Sequence, residues 1–463
     1  MRTLFLSDLH LGNGGFFDIF AGGNSLADLM EWVGPGPTRV VLNGDILDLL
    51  LDEEELDGPL LPRSLRQVEA CLGHAPTHGA LQSLFDVTRR GGEVIVLTGN
   101  HDLELGLTEV QHFLINNLMP GDTNAHANVH FHTPDSPVIL SVGGLNILAA
   151  HGEHDDPRNK VDHHSLRSPE FRHPAGSWLV KKILNPLKTR YGLRFLDTLK
   201  PDFRGAVLAA LAVKPAAVGE VFKGSSLDVA ALLFRGAIRP PTLARPPRPV
   251  HGPSNMALER VGNLCLDELI DAAGLTQNER AIVRAACSPI RLSPVLGSSQ
   301  PAQQYFGWEK LLKAGLSGYA AFHRSIAGAA GEAFFDLEPS QAEVKEAERL
   351  AGKYAADVVI LGHTHAARWY SCPSLTYVNS GTWIGLLALP GADEPISAWS
   401  ELLANLRADC LEPTQPPGLK RSTRLTAVVV DPIPGGGARL TLIEWDSTRG
   451  ATELGATSLV GRR

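Results

Sequence analysis

Five times along this chain a short apolar run ends in a turn rich in aspartate, asparagine, histidine and glycine. The stretches are Leu4–His10, Val40–Asp45, Val94–Asp102, Leu145–His151 and Val358–His365. A continuous apolar run bounded by turn residues predicts a strand buried on both faces, and ligands of α/β sheets collect at strand ends. Between the runs, apolar positions at helical spacing predict helices over Ser25–Val33, capped by Asn24 or Ser25, over Ser64–Arg90 with a break near Pro76, and over Thr108–Asn117. Short strands are predicted at Val129–His132, Val138–Ser141 and Leu145–Ala149, with Gly143-Gly144 as a hairpin turn. Strand character returns at Asp357–Leu361 and Thr376–Val378. It closes with the pair Leu425–Val430 and Arg439–Trp445 across Gly435-Gly436-Gly437.

From about Asp155 to Pro339 the pattern changes to helical periodicity, clearest at Trp178–Leu184, Phe203–Leu211, Ala257–Ala273 and Trp308–Ile326. Arg239–Pro253, rich in proline and arginine, reads as an extended linker. The expected organisation is a discontinuous α/β core, residues 1–155 and 355–447, a helical insertion or cap at 156–354, and a flexible tail at 448–463.

Composition narrows the function classes. The 463 residues are 44% apolar, ordinary for a globular chain with a real core. A net charge of −8 and a pI near 6.1 disfavour a protein whose main surface is a nucleic-acid footprint. Five scattered cysteines without paired spacing favour reduced thiols and a cytoplasmic location. No signal-peptide pattern precedes the first strand, and no apolar run reaches membrane-spanning length.

The turns carry the chemistry. Carboxylate and imidazole donors without thiolate suit manganese, iron, zinc or cobalt. Asp8 and His10, two residues apart beyond a strand end, can converge on one ion, as can His363 and His365, where Gly362 permits the tight turn. Asn100 offers a neutral carbonyl oxygen and leaves His101 as an acid. Asp45, emerging alone after Asn43-Gly44, is the expected hub. Each motif alone is commonplace, and Asn100-His101-Asp102 alone could be an ordinary turn. All five in one chain, each after a strand, are highly specific.

In this order the motifs Asp8-Leu9-His10, Gly44-Asp45-Ile46-Leu47-Asp48, Gly99-Asn100-His101-Asp102, His151-Gly152 and Gly362-His363-Thr364-His365 closely resemble the signature of the calcineurin-like metallophosphoesterases. The resemblance covers about residues 1–155 and 355–445. It implies a four-layer α-β-β-α sandwich with the site at the sheet ends, and two divalent metal ions, manganese first, with iron, zinc, cobalt or magnesium as alternatives. One ion would take Asp8, His10 and His365, the other Asn100, His151 and His363, with Asp45 bridging. The implied reaction is hydrolysis of a phosphomonoester, phosphodiester or pyrophosphate by a metal-bridging hydroxide. His101 would assist the leaving group, Asp102 would orient His101, and Asp48 would hold an imidazole or its loop. No ligand is missing, which argues against a metal-depleted binding scaffold.

Beyond His151, the residues His154, Asp155, Asp156, Asp162, His163 and His164 are either a solvated loop, substrate contacts or a third ion site. A basic, partly apolar run follows, Arg167, Arg172, Lys181, Lys182, Lys188, Arg190, Arg194, Lys200 and Arg204, read as a solvated helix face or a surface for phosphate or peripheral membrane contact. A helical cap in this place is similar to that of UDP-2,3-diacylglucosamine hydrolases. This cap is much longer, however, and His101 stands where those enzymes carry arginine. The expected substrate is a phosphorylated small or amphiphilic molecule. A lipid-linked nucleotide and, less favoured by the charge, a nucleic acid are the alternatives. Oligomeric state is left open.

Overall fold

A computed structural model of the chain describes residues 1–200, 334–388 and 421–460, apart from 53, 57, 134–136, 157, 158 and 423. The predicted helices Phe203–Leu211, Ala257–Ala273 and Trp308–Ile326 and the linker Arg239–Pro253 lie outside the described residues. The chain divides into two compact units. One is Met1–Lys181 with Phe335–Leu386 and Ser422–Arg463; the other is Lys182–Phe334 with Leu387–Arg421.

The first unit is α/β with mixed sheets. The strands, numbered along the whole chain, are β1 (Arg2–Leu6), β2 (Thr38–Asn43), β3 (Glu93–Leu97), β4 (Val129–His132), β5 (Val138–Val142), β6 (Leu145–Ala149), β7 (Leu199–Lys200), β8 (Val358–Leu361), β9 (Arg368–Cys372), β10 (Leu375–Asn379), β11 (Leu386–Ala388), β12 (Arg421–Ser422), β13 (Leu425–Pro432), β14 (Ala438–Asp446) and β15 (Gly450–Leu459). Of these, β7 and most of β11 fall in the second unit. A seven-stranded sheet has the order β15-β14-β13-β1-β2-β3-β4, with β1 to β4 parallel. A five-stranded sheet has the order β5-β6-β8-β10-β9, in which β6, β8 and β10 are parallel. Strands β7, β11 and β12 form a small third sheet.

The alternation of side chains along a strand assigns the apolar residues of β1 to β3 to one of two cores. Leu4, Leu6, Val40, Leu42, Val94 and Val96 pack with residues of helices α1 (Ser25–Val33), α2 (Leu60–Gly73), α3 (Ala75–Phe85) and α4 (Thr108–Leu118). Phe5, Val41, Ile95 and Leu97 share the other core with Ile147, Ala149, Val358, Ile360 and Val378 of the five-stranded sheet. That sheet's remaining face, with Leu148, Val359, Leu361 and Tyr377, packs on Ala347, Leu350, Ala351 and Tyr354 of the helix Gln341–Tyr354. Strands buried on both faces explain why the sequence shows unbroken apolar runs rather than alternation.

Local chemistry sets the element ends. The helical stretch expected over Ser64–Arg90 with a break near Pro76 is two helices, Leu60–Gly73 and Ala75–Phe85. The break falls at His74, because Pro76 is tolerated in the first turn of α3. Gly143 and Gly144, with φ of 61° and 85°, form the β5–β6 hairpin turn, where both central residues need positive φ. The helix Gln341–Tyr354 begins with a reciprocal capping box between Ser340 and Glu343.

Two boundaries differ from those expected. The helix Gln341–Tyr354, assigned from sequence to the insertion, belongs to the first unit, where its few apolar residues cover the five-stranded sheet. The segment 448–463, expected to be a flexible tail, instead forms β15, paired with β14 from Asp446↔Gly450 to Ala438↔Leu459. Its low hydrophobicity hid it: only Leu454 and Leu459 pack against the inter-sheet core. Gly455 lies where a Cβ would come within 2.6 Å of the Trp369 ring, so that side chain abuts the strand directly. Deletion of residues 448–463 is therefore expected to lower the unfolding free energy by about 2 kcal/mol or more, the scale of the apolar burial removed. Denaturant unfolding of the truncated chain checks this, and an unchanged midpoint refutes it.

Candidate metal centre

Strands β1, β2 and β3 are parallel neighbours, so the residues past their C-terminal ends emerge along one edge: Ser7–His10, Gly44–Asp48 and Gly99–Asp102. Strands β6 and β8, parallel in the other sheet, deliver His151 and Gly362–His365. The first two loops are joined beyond the strands by backbone hydrogen bonds. Asp8 N donates to Gly44 O (3.1 Å), His10 N to Asp45 O (3.0 Å), Leu11 N to Ile46 O (2.9 Å) and Asp48 N to Leu11 O (3.1 Å).

Six non-glycine residues among those described have positive φ, and five of them are Asp8, His10, Asp45, His363 and His365, with φ between 49° and 67°. The sixth, Ala355, ends the helix Gln341–Tyr354. Left-handed backbone is uncommon in non-glycine residues and gathers at functional sites, where the surrounding structure holds it. Here it turns side chains back across the strand ends. Neighbouring glycines leave the room: a Cβ on Gly99 would lie 2.1 Å from Asp45 Oδ1, and one on Gly44 would meet the His151 ring at 2.4 Å.

Among the described residues three groups of metal-capable side chains result: Asp8, His10, Asp45 and His365 in the first, Asp45, His151 and His363 in the second, and His10, Asp48 and His101 in a third, whose two rings Asp48 joins by hydrogen bonds. Asp45 belongs to the first two. In the first, His10 Nε2 lies 3.1 Å from His365 Nε2 and 3.9 Å from Asp45 Oδ2, and His365 Nε2 lies 3.3 Å from Asp8 Oδ1. In the second, His151 Nε2 is 3.2 Å from Asp45 Oδ2, and the His151 and His363 rings are 5.2 Å apart. Asn100 is buried on the same edge.

The donor set fits divalent cations. Asp8 Oδ1, Asn100 Oδ1 and His151 Nε2 are buried with no hydrogen-bond partner, a state that ordinary buried polar atoms avoid. Spacings near 3 Å between nitrogen and oxygen donors are those of atoms bound to one ion at about 2.1 Å.

The remaining atoms of these side chains are held. His151 Nδ1 donates to Asn43 O at 3.0 Å, which aims Nε2 at Asp45. His10 Nδ1 donates to Asp48 Oδ2 at 2.8 Å, and His101 Nδ1 donates to the other oxygen of Asp48 at 3.0 Å. Asp8 Oδ2 accepts from the His363 backbone N–H at 3.0 Å and from the Ser7 hydroxyl. A ring nitrogen fixed in this way sets the tautomer and direction of the other.

Electrostatics follow from this packing. Burial opposes charge on Asp8, but the His365 imidazole 3.3 Å from Oδ1 and the positive charge of His151 prevail, and its pKa falls to about 2. Asp45 is lowered as well, burial being outweighed chiefly by His151 and His101. Burial lowers the pKa of His101, yet Asp48 and Asp45 raise it to about 9, so its ring is protonated at neutral pH. Asp102 goes the other way, to about 7, through burial and the Asp45 charge.

One expected role is reassigned. Asp102 does not touch the His101 ring; it turns inward and accepts from Gly99 N (2.6 Å), Ile46 N (2.7 Å) and Leu47 N (3.3 Å). It ties the loops after β2 and β3 together, and Asp48 orients His101 instead. Adjacent residues in this turn point apart, so proximity in sequence was misleading. His154 contacts Glu153 rather than the centre, with Nδ1 3.3 Å from Oε1, whereas Asp156 Oδ2 approaches His363 Nε2 at 3.6 Å.

Sequence reading missed the loop after β10. Asn379 Nδ2 donates to Gly362 O at 2.7 Å, and Thr382 Oγ1 donates to Asp8 O at 2.9 Å, bracing both ligand loops. Its signal was available: the apolar strand ending in Asn379-Ser380-Gly381-Thr382 repeats the pattern of the other five. The basic run is partly consumed by internal pairs, Arg167 with Glu109, Lys181 with Asp52 and Lys188 with Asp197.

No helix among the described residues is long and apolar enough to cross a membrane. Comparison with curated proteins finds no match. Among solved structures, the phosphopantetheinyl hydrolase from Mycobacterium tuberculosis aligns over 91% of this chain and 95% of its own, at 13% identity and a TM-score of 0.25, too loose a likeness to speak for substrate or activity. The family model for calcineurin-like phosphoesterases matches residues 1–195, the stretch that supplies Asp8, His10, Asp45, Asp48, Asn100, His101 and His151. Residues 1–195 thus belong to the calcineurin-like phosphoesterase family, a family of metal-dependent phosphoesterases.

Proposed function

We propose that the chain hydrolyses a phosphoester at the Asp45-centred site, with Asp8, His10 and His365 holding one divalent cation, Asn100, His151 and His363 a second, and Asp45 shared. The observation that carries this reading is the membership of Asp45 in two separate metal-capable groups. When bound, such a pair of cations supplies charge for the phosphate oxygens and an activated water. The chain's own residues do the rest. Asp48 holds His10 as a ligand and His101 as a donor with one carboxylate, so the two rings stay in fixed relation, 4.7 Å apart and nearly perpendicular. His101, protonated at Nδ1 against Asp48, presents Nε2–H to the leaving oxygen and hands over its proton as the ester bond breaks. The buried carbonyls and amides around Asp8 and His151 keep the donors aimed without rearrangement.

Manganese is the first expected metal, and a phosphorylated small or amphiphilic molecule the expected substrate. Helices, sheet, sheet and helix are read as the four layers of the family's sandwich, with the second unit as its helical insertion. Purified protein assayed with manganese on p-nitrophenyl phosphate, bis-p-nitrophenyl phosphate and a nucleotide sugar should cleave at least one, and a chelator should abolish the reaction. Failure on all three with manganese, iron, zinc, cobalt and magnesium in turn would remove the reading.

A further inference from the structure

His101 meets the run that follows Asp48 in two places. Its backbone carbonyl accepts from Leu49 N at 3.2 Å. Its ring donates to Asp48 Oδ1, and that same oxygen accepts from Leu50 N and Leu51 N, each at 3.2 Å. The other half of Asp48 is anchored elsewhere: Oδ2 accepts from His10, and the backbone N–H donates to Leu11 O in the loop after β1. The aim of His101 therefore depends on where Leu49–Leu51 sit, while the grip on His10 is tied from the opposite side.

Buried polar side chains hold that run in place. Gln67 of α2 is 4% exposed, and its Nε2 donates to Leu49 O at 2.7 Å and to Asp52 Oδ2 at 2.5 Å. Lys181 is 6% exposed; its Nζ donates to Asp52 O at 3.2 Å and pairs with Asp52 Oδ1. Asp52 is thus gripped by α2 through one carboxylate oxygen and by Lys181 through the other. Neither grip is what stability alone would select. A buried ammonium–carboxylate pair recovers about what its desolvation costs, and what it supplies is a fixed geometry. Gln67 Oε1 is buried with no hydrogen-bond partner, a cost that an apolar side chain would not carry.

We propose that Gln67, Asp52 and Lys181 are positioning residues for proton transfer: they fix Leu49–Leu51, so that Asp48 and the Leu49 amide keep His101 directed at the leaving oxygen. This rests on the hydrolytic reading of the Asp45-centred site. A misplacement of about 1 Å at a reacting group can cost about 10²-fold in rate, so side chains that never touch the substrate can matter this much. Lys181 is the last residue of the first unit, and the brace on His101 reaches the point at which the chain passes into residues 182–334.

The test is steady-state kinetics of the full chain with manganese, on the p-nitrophenyl ester it cleaves and on the matching alkyl ester, with metal counted on the same preparations. If the unmodified chain cleaves no phosphoester, the hydrolytic reading falls and this inference with it; the outcomes that follow bear on the inference alone. Gln67→Met, of similar reach but without an N–H, and Lys181→Met should each lower kcat on the alkyl ester about 10-fold and on the p-nitrophenyl ester less than about twofold. KM and metal content should stay unchanged. Lys181→Arg, whose fork still reaches Asp52, should recover most of the loss. In a His101→Ala chain, neither methionine substitution should slow the reaction further. Equal losses on both esters, losses undiminished in the His101→Ala chain, or unchanged rates would overturn the proposal. Should Gln67→Met fail to fold, the Lys181→Met and Lys181→Arg pair decides the matter by the same criteria.

Discussion

Asp45→Ala is expected to lose both paired cations and more than about 10⁴-fold in hydrolytic rate, a larger loss than removal of a general acid gives. Asp45 joins the group of Asp8, His10 and His365 to that of His151 and His363, and Gly99 is needed to accommodate its Oδ1. Its other links are modest, chiefly the hydrogen bond that Oδ1 accepts from the His101 backbone N–H at 2.8 Å. The fold should therefore survive, since alanine removes a buried charge together with the cations it would hold. Metal counting and circular dichroism on the same preparation check the point. A variant that keeps both paired ions, or that cleaves esters at the normal rate, contradicts the shared-ligand geometry.

His101→Ala is expected to behave in the opposite way, keeping the cations and losing roughly 10²–10⁴-fold in kcat, the usual scale for general acid catalysis. The deficit should depend on the leaving group. p-Nitrophenolate departs readily without a proton, so its ester should show the small end of the range, and an alkyl phosphate the large end. Asp48→Asn separates the two jobs of its carboxylate, because Asp48 holds His10 as well as His101. It should weaken metal affinity by about 10–100-fold, as loss of a ligand's supporting partner does, besides slowing the reaction. Equal losses for both leaving groups in His101→Ala would deny His101 the proton-transfer role.

Much of this centre was legible in the sequence because a strand buried on both faces leaves an unbroken apolar run, and the polar turn after it stands out. Asp8, His10, Asp45, His151, His363 and His365 were all found that way, and the structure brings them together. Spacing does not say which ring a carboxylate meets. Asp48 and Asp102 could both have oriented His101, and only the fold of the turn, with Asp102 bonded to three backbone amides, decides it. Strand β15 was missed because Gly450–Leu459 is built largely from small and hydroxylated residues. Its place is fixed by pairing with β14 and by Trp369, both far off in the chain.

The five left-handed donors have a consequence for how this protein tolerates change. Each costs on the order of 1 kcal/mol or more, so their sum, about 5 kcal/mol, rivals the net stability of a typical domain. The strands beneath must supply that restraint continuously. A weakening substitution far away in either sheet would let the turns relax first, into right-handed backbone that faces the donors apart. Such a chain would still circulate as a folded protein, yet it would bind its ions poorly, and its defect would be mistaken for one at the catalytic residues themselves.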